Sequence, residues 1–248
     1  MFYNPLEQFE ISILVPFRFL SLFDVSISNY SLTLFFVLGL ILVFFYFFLY
    51  RVNLIPFSLQ SCAELLYKFM YSLLKNQAGS FAQAYFPVVF SIFCFILVSN
   101  LFGLIPFGFT VTAQFVLTLS LAFSLNFGLI IIGFIEHGFY FLKKFVPTGT
   151  PLWLLPGLTV IEVVSYLIRT ISLSVRLFAN MLAGHALMHI ISSAFVNLIG
   201  KIGYIAVFLS TFVIMAVLVL ETGIAFLQAY VFAVLFCIYL SESLEISH

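Results

Sequence analysis

The sequence predicts an all-α, polytopic membrane protein of about five membrane helices plus one amphipathic interfacial helix. Three observations carry this. Hydrophobic residues make up 64% of the 248 positions and charged residues only 7%, with a mean hydropathy of +1.26; soluble domains do not have such a balance. The apolar residues fall into long runs, and the last two runs exceed what a bilayer requires. Among the few ionisable residues inside those last runs, Glu162, Arg169 and Arg176 lie on one helical stripe.

Residues 1–29 are mixed, with Glu7, Glu10, Arg18 and Asp24, and read as an outer-side surface or interfacial segment. They lack the basic and apolar regions of a secretory signal and the arginines of a transit peptide. Residues 30–50 are nearly all Leu, Phe and Val, long enough for a first membrane helix that stops at Arg51 and Pro56. Residues 58–76 differ in kind. Leu59, Cys62, Leu66, Phe69 and Leu73 follow helical spacing on one side, and Gln60, Glu64, Lys68, Tyr71 and Lys75 on the other. This predicts an amphipathic helix lying in the interface, with a packed helix of a small soluble cap as the competing reading.

Residues 83–135 predict a helical hairpin. Its first span runs over 83–103 and ends at the turn residues Gly103, Pro106 and Gly108; its second runs over 112–135 and closes at Glu136 and His137. A loop with Lys143, Lys144, Pro147, Pro151 and Pro156 follows. The apolar segments 157–199 and 203–240 would extend roughly 65 Å and 57 Å as helix, against a bilayer core of about 30 Å. Each is therefore a broken pair of helices or one long, steeply tilted helix. Neither contains an internal proline and a lone glycine rarely breaks a helix, which favours a long tilted hairpin over 157–240.

Five crossings put the chain's two ends on opposite sides. Arg51, Lys68, Lys75, Lys143 and Lys144 then share one side, which the positive-inside rule makes the cytoplasm or matrix. Other function classes find no support. The net charge is zero, without a nucleic-acid footprint. There is no Walker motif for a nucleotide. Cys62, Cys94 and Cys237 have no metal or disulfide spacing and read as small buried hydrophobes. No cofactor and no metal are expected.

The chemistry concentrates in SLSVRLFANMLAGH at 172–185. Arg176 is a permanent charge in an apolar run, and such a residue at membrane depth is functional or structurally paired. Glu162, Arg169 and Arg176 recur every seven residues with Ser165 and Ser172 between them and Asn180 beyond. At roughly 100° per residue they form one stripe. An antiparallel hairpin turning near residue 202 brings Arg176 opposite Gln228, His185 opposite Glu221, Glu162 opposite Glu242 and Tyr166 opposite Tyr239. Mutual neutralisation explains neither Arg176 opposite an amide nor Glu162 opposite a like charge. The layout instead suggests a path broken in the middle. His185 and Glu221 lie towards the outside and Glu162 and Glu242 at the inner end, while Arg176 cannot release its proton and blocks a continuous wire. A carboxylate from another subunit must then carry each proton between the halves.

These residues, with LETGIAFLQAYVF at 220–232, NPLEQFEI at 4–11, YFP at 85–87 and SNLFGLIPFGFTVT at 99–112, resemble subunit a of the F-type ATP synthase over nearly the whole chain. The resemblance implies a stator beside a rotating c-ring. Arg176 would be the essential arginine facing the ring. Asn180, His185, Glu221 and Gln228 would serve the outer half-path and ring-facing positions, and Glu162, Glu242 and Tyr239 the inner half-path, with Arg169 and Ser172 supporting. The implied partners are the c-ring, the peripheral stalk and other membrane-sector subunits, and the bilayer, with cardiolipin as a candidate lipid. Histidine at 185 with glutamate at 221 is similar to the mitochondrial and alphaproteobacterial branch, which points to the mitochondrial inner membrane or, alternatively, an alphaproteobacterial inner membrane. His185 also favours protons as the ion. Gln114 departs from the family, where a histidine is common. A self-contained transporter should show internal repeats, which are absent. A structural anchor would not retain Arg176, Glu162 and Glu221 at depth.

Overall fold

A computed structural model describes residues 9–16, 18–19, 23–24, 26–50, 58–79, 81–105, 108–145, 153–202 and 204–244. The expected stops at Arg51, Pro56 and Pro106, and the loop residues Pro147 and Pro151, lie outside them.

The described residues form six α-helices: α1 (Asn29–Tyr50), α2 (Ser58–Ala78), α3 (Phe86–Gly103), α4 (Phe115–His137), α5 (Leu155–Ile202) and α6 (Tyr204–Leu244). Five of them are long and apolar enough to cross a membrane. α5 and α6 run unbroken for 48 and 41 residues, so neither long segment is a broken pair. Their sequences carry no proline past the first turn of α5, where Pro156 is tolerated. Apolar side chains stand exposed all along the spans, Phe35 on α1, Val116 on α4 and Phe208 on α6 among them at 71%, 77% and 79%. A chain in water could not sustain that surface; lipid or neighbouring subunits can.

The chain divides into two compact units, and both long helices contribute to each. The first unit comprises Met1–Asn53, Cys94–Gln114 and Leu177–Ala229. Short strands add to the expected helices here: β1 (Ile13–Val15) pairs antiparallel with β4 (Ile27–Ser28), and β2 (Arg18–Phe19) with β3 (Phe23–Asp24). The alternating apolar residues of 11–28 fit strand pairing, which the all-helical composition had masked. Ser28 caps α1 reciprocally: its hydroxyl accepts from the Ser31 N–H at 3.4 Å, and its own N–H donates to the Ser31 hydroxyl at 2.9 Å. Ala113, Met181 and Ala225 form a buried cluster against which Phe9 and Leu104 pack. Within this cluster's surroundings the Asn100 amide donates to the Ala225 carbonyl at 3.3 Å, tying α3 to α6.

The second unit comprises Leu54–Phe93, Phe115–Arg176 and Tyr230–His248. α2 is the one helix of markedly amphipathic composition, as its spacing predicts. Its buried side is rotated from the expected one: Met70, Leu73, Leu74 and Ala78 are buried, whereas Phe69 is 45% exposed. Cys62 is exposed, which corrects its expected burial; Cys94 and Cys237 are buried. The shift follows the aromatic side chains at the join to α3. Tyr67 packs edge-on to Phe86 at 4.7 Å between centroids, and Phe69 lies 5.9 Å from Tyr230. The expected loop after α4 is instead a short 3-10 helix, Gly138–Phe145. Gly138 has φ +57, a conformation glycine adopts without strain. Phe141 of this turn packs so closely on Gly133 that a Cβ there would lie 2.2 Å from its ring. His137 Nε2 stands 2.9 Å from the Leu244 carbonyl, joining the ends of α4 and α6.

Candidate functional site

The polar residues of α5 and α6 divide between the units. In the first unit, Asn180, His185 and Glu221 line one cavity of about 210 Å³ together with Leu104, Met181 and Leu220. The heptad geometry explains part of this. Met181 and Gly184 put a narrow face of α5 towards α6, and Gly184 admits the glutamate: a Cβ there would lie 2.9 Å from Glu221 Oε1. Glu221 is only 7% exposed. Its Oε1 and His185 Nε2 are both buried without a partner from the chain. Two such groups in hydrocarbon each cost kcal/mol unless hydrated or paired. The cavity has room for several waters at about 30 Å³ each, and water linking imidazole to carboxylate satisfies both. His185 and Glu221 thus share one site as the hairpin predicts, across a space and not by direct contact. Gln228 is buried two turns further along α6 and does not line the cavity.

Three polar residues near this site escaped the sequence reading: Asn100, Thr110 and Thr112. Each is buried, with Asn100 Oδ1 and both threonine hydroxyls unpartnered by the chain. They sit in SNLFGLIPFGFTVT, and as polar residues at the end of an apolar span they carried a usable signal. Gly103 lies next to both Thr110 and the histidine: a Cβ there would stand 2.6 Å from Thr110 Cγ2 and 3.7 Å from His185 Nε2.

In the second unit, Glu242 pairs with Arg169 at 3.5 Å, the side chains 37% and 41% exposed. The Arg169 guanidinium lies 6.0 Å from the Tyr239 ring centroid, a cation–π distance. Tyr166 is an electrostatic neighbour of Tyr239, Glu242 and Arg169. Glu242 takes Arg169 as an ion-pair partner: the long guanidinium on the same stripe as Glu162 reaches the acid. Glu162 and Ser172 are exposed on α5. Further polar contacts lie on the buried side of the helix. The Asn126 amide donates to Thr170 Oγ1 at 2.6 Å, and Ser174 is buried with its hydroxyl unpartnered by the chain. Asn126 was a lone amide in an apolar span and could have been flagged on that ground.

Arg176 projects from the same unit. It is exposed beside exposed Ile171 and Val175, and makes no hydrogen bond or ion pair among the described residues. Its charge is felt by Tyr239. Among the described residues no cluster of His, Cys, Asp and Glu could hold a metal ion.

These features define a class: a multi-pass, all-α membrane protein whose ionisable groups gather on two long helices, some around a cavity and one, an arginine, on an outward apolar face. The family profile for the ATP synthase A chain matches residues 31–241. The chain is 46% identical to ATP synthase subunit a of Acanthamoeba castellanii over 100% of both chains. It is 43% identical to that of Pelagibacter ubique over 99% of both, and 41% identical to that of Marchantia polymorpha over 98% of both. The chain belongs to the ATP synthase A chain family. It is accordingly a proton-translocating, membrane-sector subunit of an ATP synthase, not a catalytic subunit, and has partners within that complex.

Proposed function

We propose that this chain is the stator subunit of a rotary F-type synthase, offering two offset aqueous half-channels to the carboxylates of a c-ring and separating them with Arg176. The observation that carries this is the exposed guanidinium on an apolar helix face. A charge at membrane depth without an acid from its own chain needs one from elsewhere, and a membrane-embedded carboxylate on a neighbouring rotor supplies it.

The outer half-channel is the cavity of Asn180, His185 and Glu221, with Gln228 beyond it towards the ring. A proton arriving from outside is taken by the imidazole or carboxylate, passes through cavity water, and protonates a ring carboxylate. The neutral acid can then turn into the lipid phase. On the inner side Glu162, Glu242 and Tyr239 accept the proton, with Arg169 and Ser172 supporting that path. The returning carboxylate is ionised and meets Arg176, whose attraction favours the charged form and stops a proton from crossing directly. Ring rotation is then the only route between the halves, which couples proton flow to ATP synthesis. The peripheral stalk holds the stator fixed, and the bilayer, including cardiolipin, seals its exposed apolar surface. The location is the mitochondrial inner membrane or an alphaproteobacterial inner membrane; relatives occur in Acanthamoeba and Marchantia as well as in Pelagibacter.

The test is ATP-driven proton pumping in vesicles carrying the assembled complex. Arg176→Ala is expected to abolish pumping while the complex still assembles. Normal coupling in that variant would sink the proposal.

A further inference from the structure

The connector between α3 and α4 does more than join two spans. It reaches the surroundings of His185 at two points. Thr110 sits beside Gly103, which lies next to the imidazole, as described above. Four residues on, the Gln114 side-chain amide donates to the Phe9 carbonyl at 2.8 Å. Phe9 in turn packs on the buried Ala113–Met181–Ala225 cluster. Its ring meets His185 edge to face, with centroids 6.3 Å apart and planes at 79°. All of these residues belong to the first unit.

The chemistry of the histidine makes this contact consequential. His185 Nε2 has no hydrogen-bond partner from the chain. Metal-free histidines are usually oriented by a hydrogen bond to one ring nitrogen, which also fixes the tautomer. No such bond is present here on Nε2, so packing sets the direction in which that nitrogen points. Cα-tethered imidazole can swing about two torsions, and a rigid aromatic edge on one flank with the Gly103–Thr110 wall on another removes that freedom. The aromatic edge is itself held only if residue 9 is held. The Gln114 amide supplies one directed bond that holds it.

We propose that Gln114 and Phe9 are positioning residues for His185: the Gln114 amide anchors the backbone at Phe9, and the Phe9 ring holds the imidazole in the attitude that presents it to the cavity. Neither residue touches the transferred proton. The proposal rests on His185 serving the outer half-channel.

The experiment uses the assembled synthase in proteoliposomes with two substitutions. Gln114→Leu keeps the side chain's size and removes the donor. Phe9→Ala leaves the backbone carbonyl available and removes the ring. Two readouts are taken on each: proton pumping per assembled complex, and the imidazole density in a map of the complex. Both variants are expected to lower pumping by up to about a hundredfold, the scale at which displacement of a reacting group by an ångström is felt, and to displace the His185 ring with the α5 and α6 backbones unmoved. Gln114→His, which restores an N–H donor of similar reach, is expected to recover pumping and ring position together. An imidazole that stays in place in both variants overturns the proposal, whatever pumping does, as does recovery by Gln114→Leu of everything Gln114→His recovers. A displaced ring with undiminished pumping upholds the positioning and overturns His185's place in the proton path. If one variant fails to assemble, the other decides, because the two remove different halves of the same contact.

Discussion

Gly184 and Glu221 meet so closely that a side chain on the glycine would press on the carboxylate: a Cβ would stand 2.9 Å from Oε1, 3.2 Å from Cδ and 3.3 Å from Cγ of the glutamate. The bare backbone of α5 thereby forms one wall of the cavity into which the carboxylate is received.

Gly184→Val should therefore block the proposed outer half-channel. The branched side chain displaces the carboxylate and fills cavity volume that water occupies. Proton pumping is expected to fall by more than about tenfold, each tenfold being roughly 1.4 kcal/mol of barrier. Gly184→Ala should cost less, because the carboxylate end of Glu221 can swing aside. Equal pumping in the valine variant and the parent would show that protons do not pass between these helices.

At position 176 a lysine keeps the charge but loses the planar, always-protonated fork. Arg176→Lys is expected to lose most ATP-driven pumping and Arg176→Gln all of it. The distinguishing measurement is passive proton leak through the membrane sector. Removing the charge should raise leak as coupling disappears, whereas a purely structural arginine would change assembly and leave leak per complex unaltered.

Access to the two half-channels can be tested by chemistry from either side of the membrane. With a membrane-impermeant thiol reagent, Glu221→Cys is expected to react from outside and Glu162→Cys from inside. Cys62 must first be replaced, since it is exposed on α2 and would label on its own. Labelling of positions 221 and 162 from the same side would mean that the half-channels are drawn wrongly.

The Arg169–Glu242 ion pair should matter more to transport than to stability. Both side chains are more than a third exposed, and pairs of that kind contribute at most about 1 kcal/mol. Glu242→Gln is expected to leave thermal stability of the complex nearly unchanged while slowing proton release. The exchange Arg169→Glu with Glu242→Arg should restore stability but not transport, because the acid then sits on the wrong helix. Full transport in the exchanged variant would reduce the pair to a structural contact.

α5 and α6 should lie far from the membrane normal. Their 48 and 41 residues make about 72 Å and 62 Å of helix against a core of about 30 Å. A map of the complex in a nanodisc showing either helix upright, with its excess length projecting into water, would contradict this.

Much of this was legible in the residues alone. Span number, the amphipathic character of α2 and the unbroken course of α5 and α6 follow from local rules: apolar run length, helical spacing, and the positions of proline. The stripe of Glu162, Arg169 and Arg176 follows from helical period, and so does the meeting of His185 with Glu221, because an antiparallel hairpin with a known turn fixes which residues share a depth. What only the tertiary structure decided depends on side-chain reach and on segments far apart in sequence. Register alone does not show that the flexible Arg169 guanidinium reaches Glu242. Periodicity gave α2 an apolar side, but its aromatic contacts with α3 and α6 selected Met70 and Leu74 for burial and left Cys62 exposed. Nothing local to Phe9 or Gln114 announces that they meet, or that their contact ends against His185. Such pairings are made by the whole packed chain, and no spacing rule along one helix encodes them.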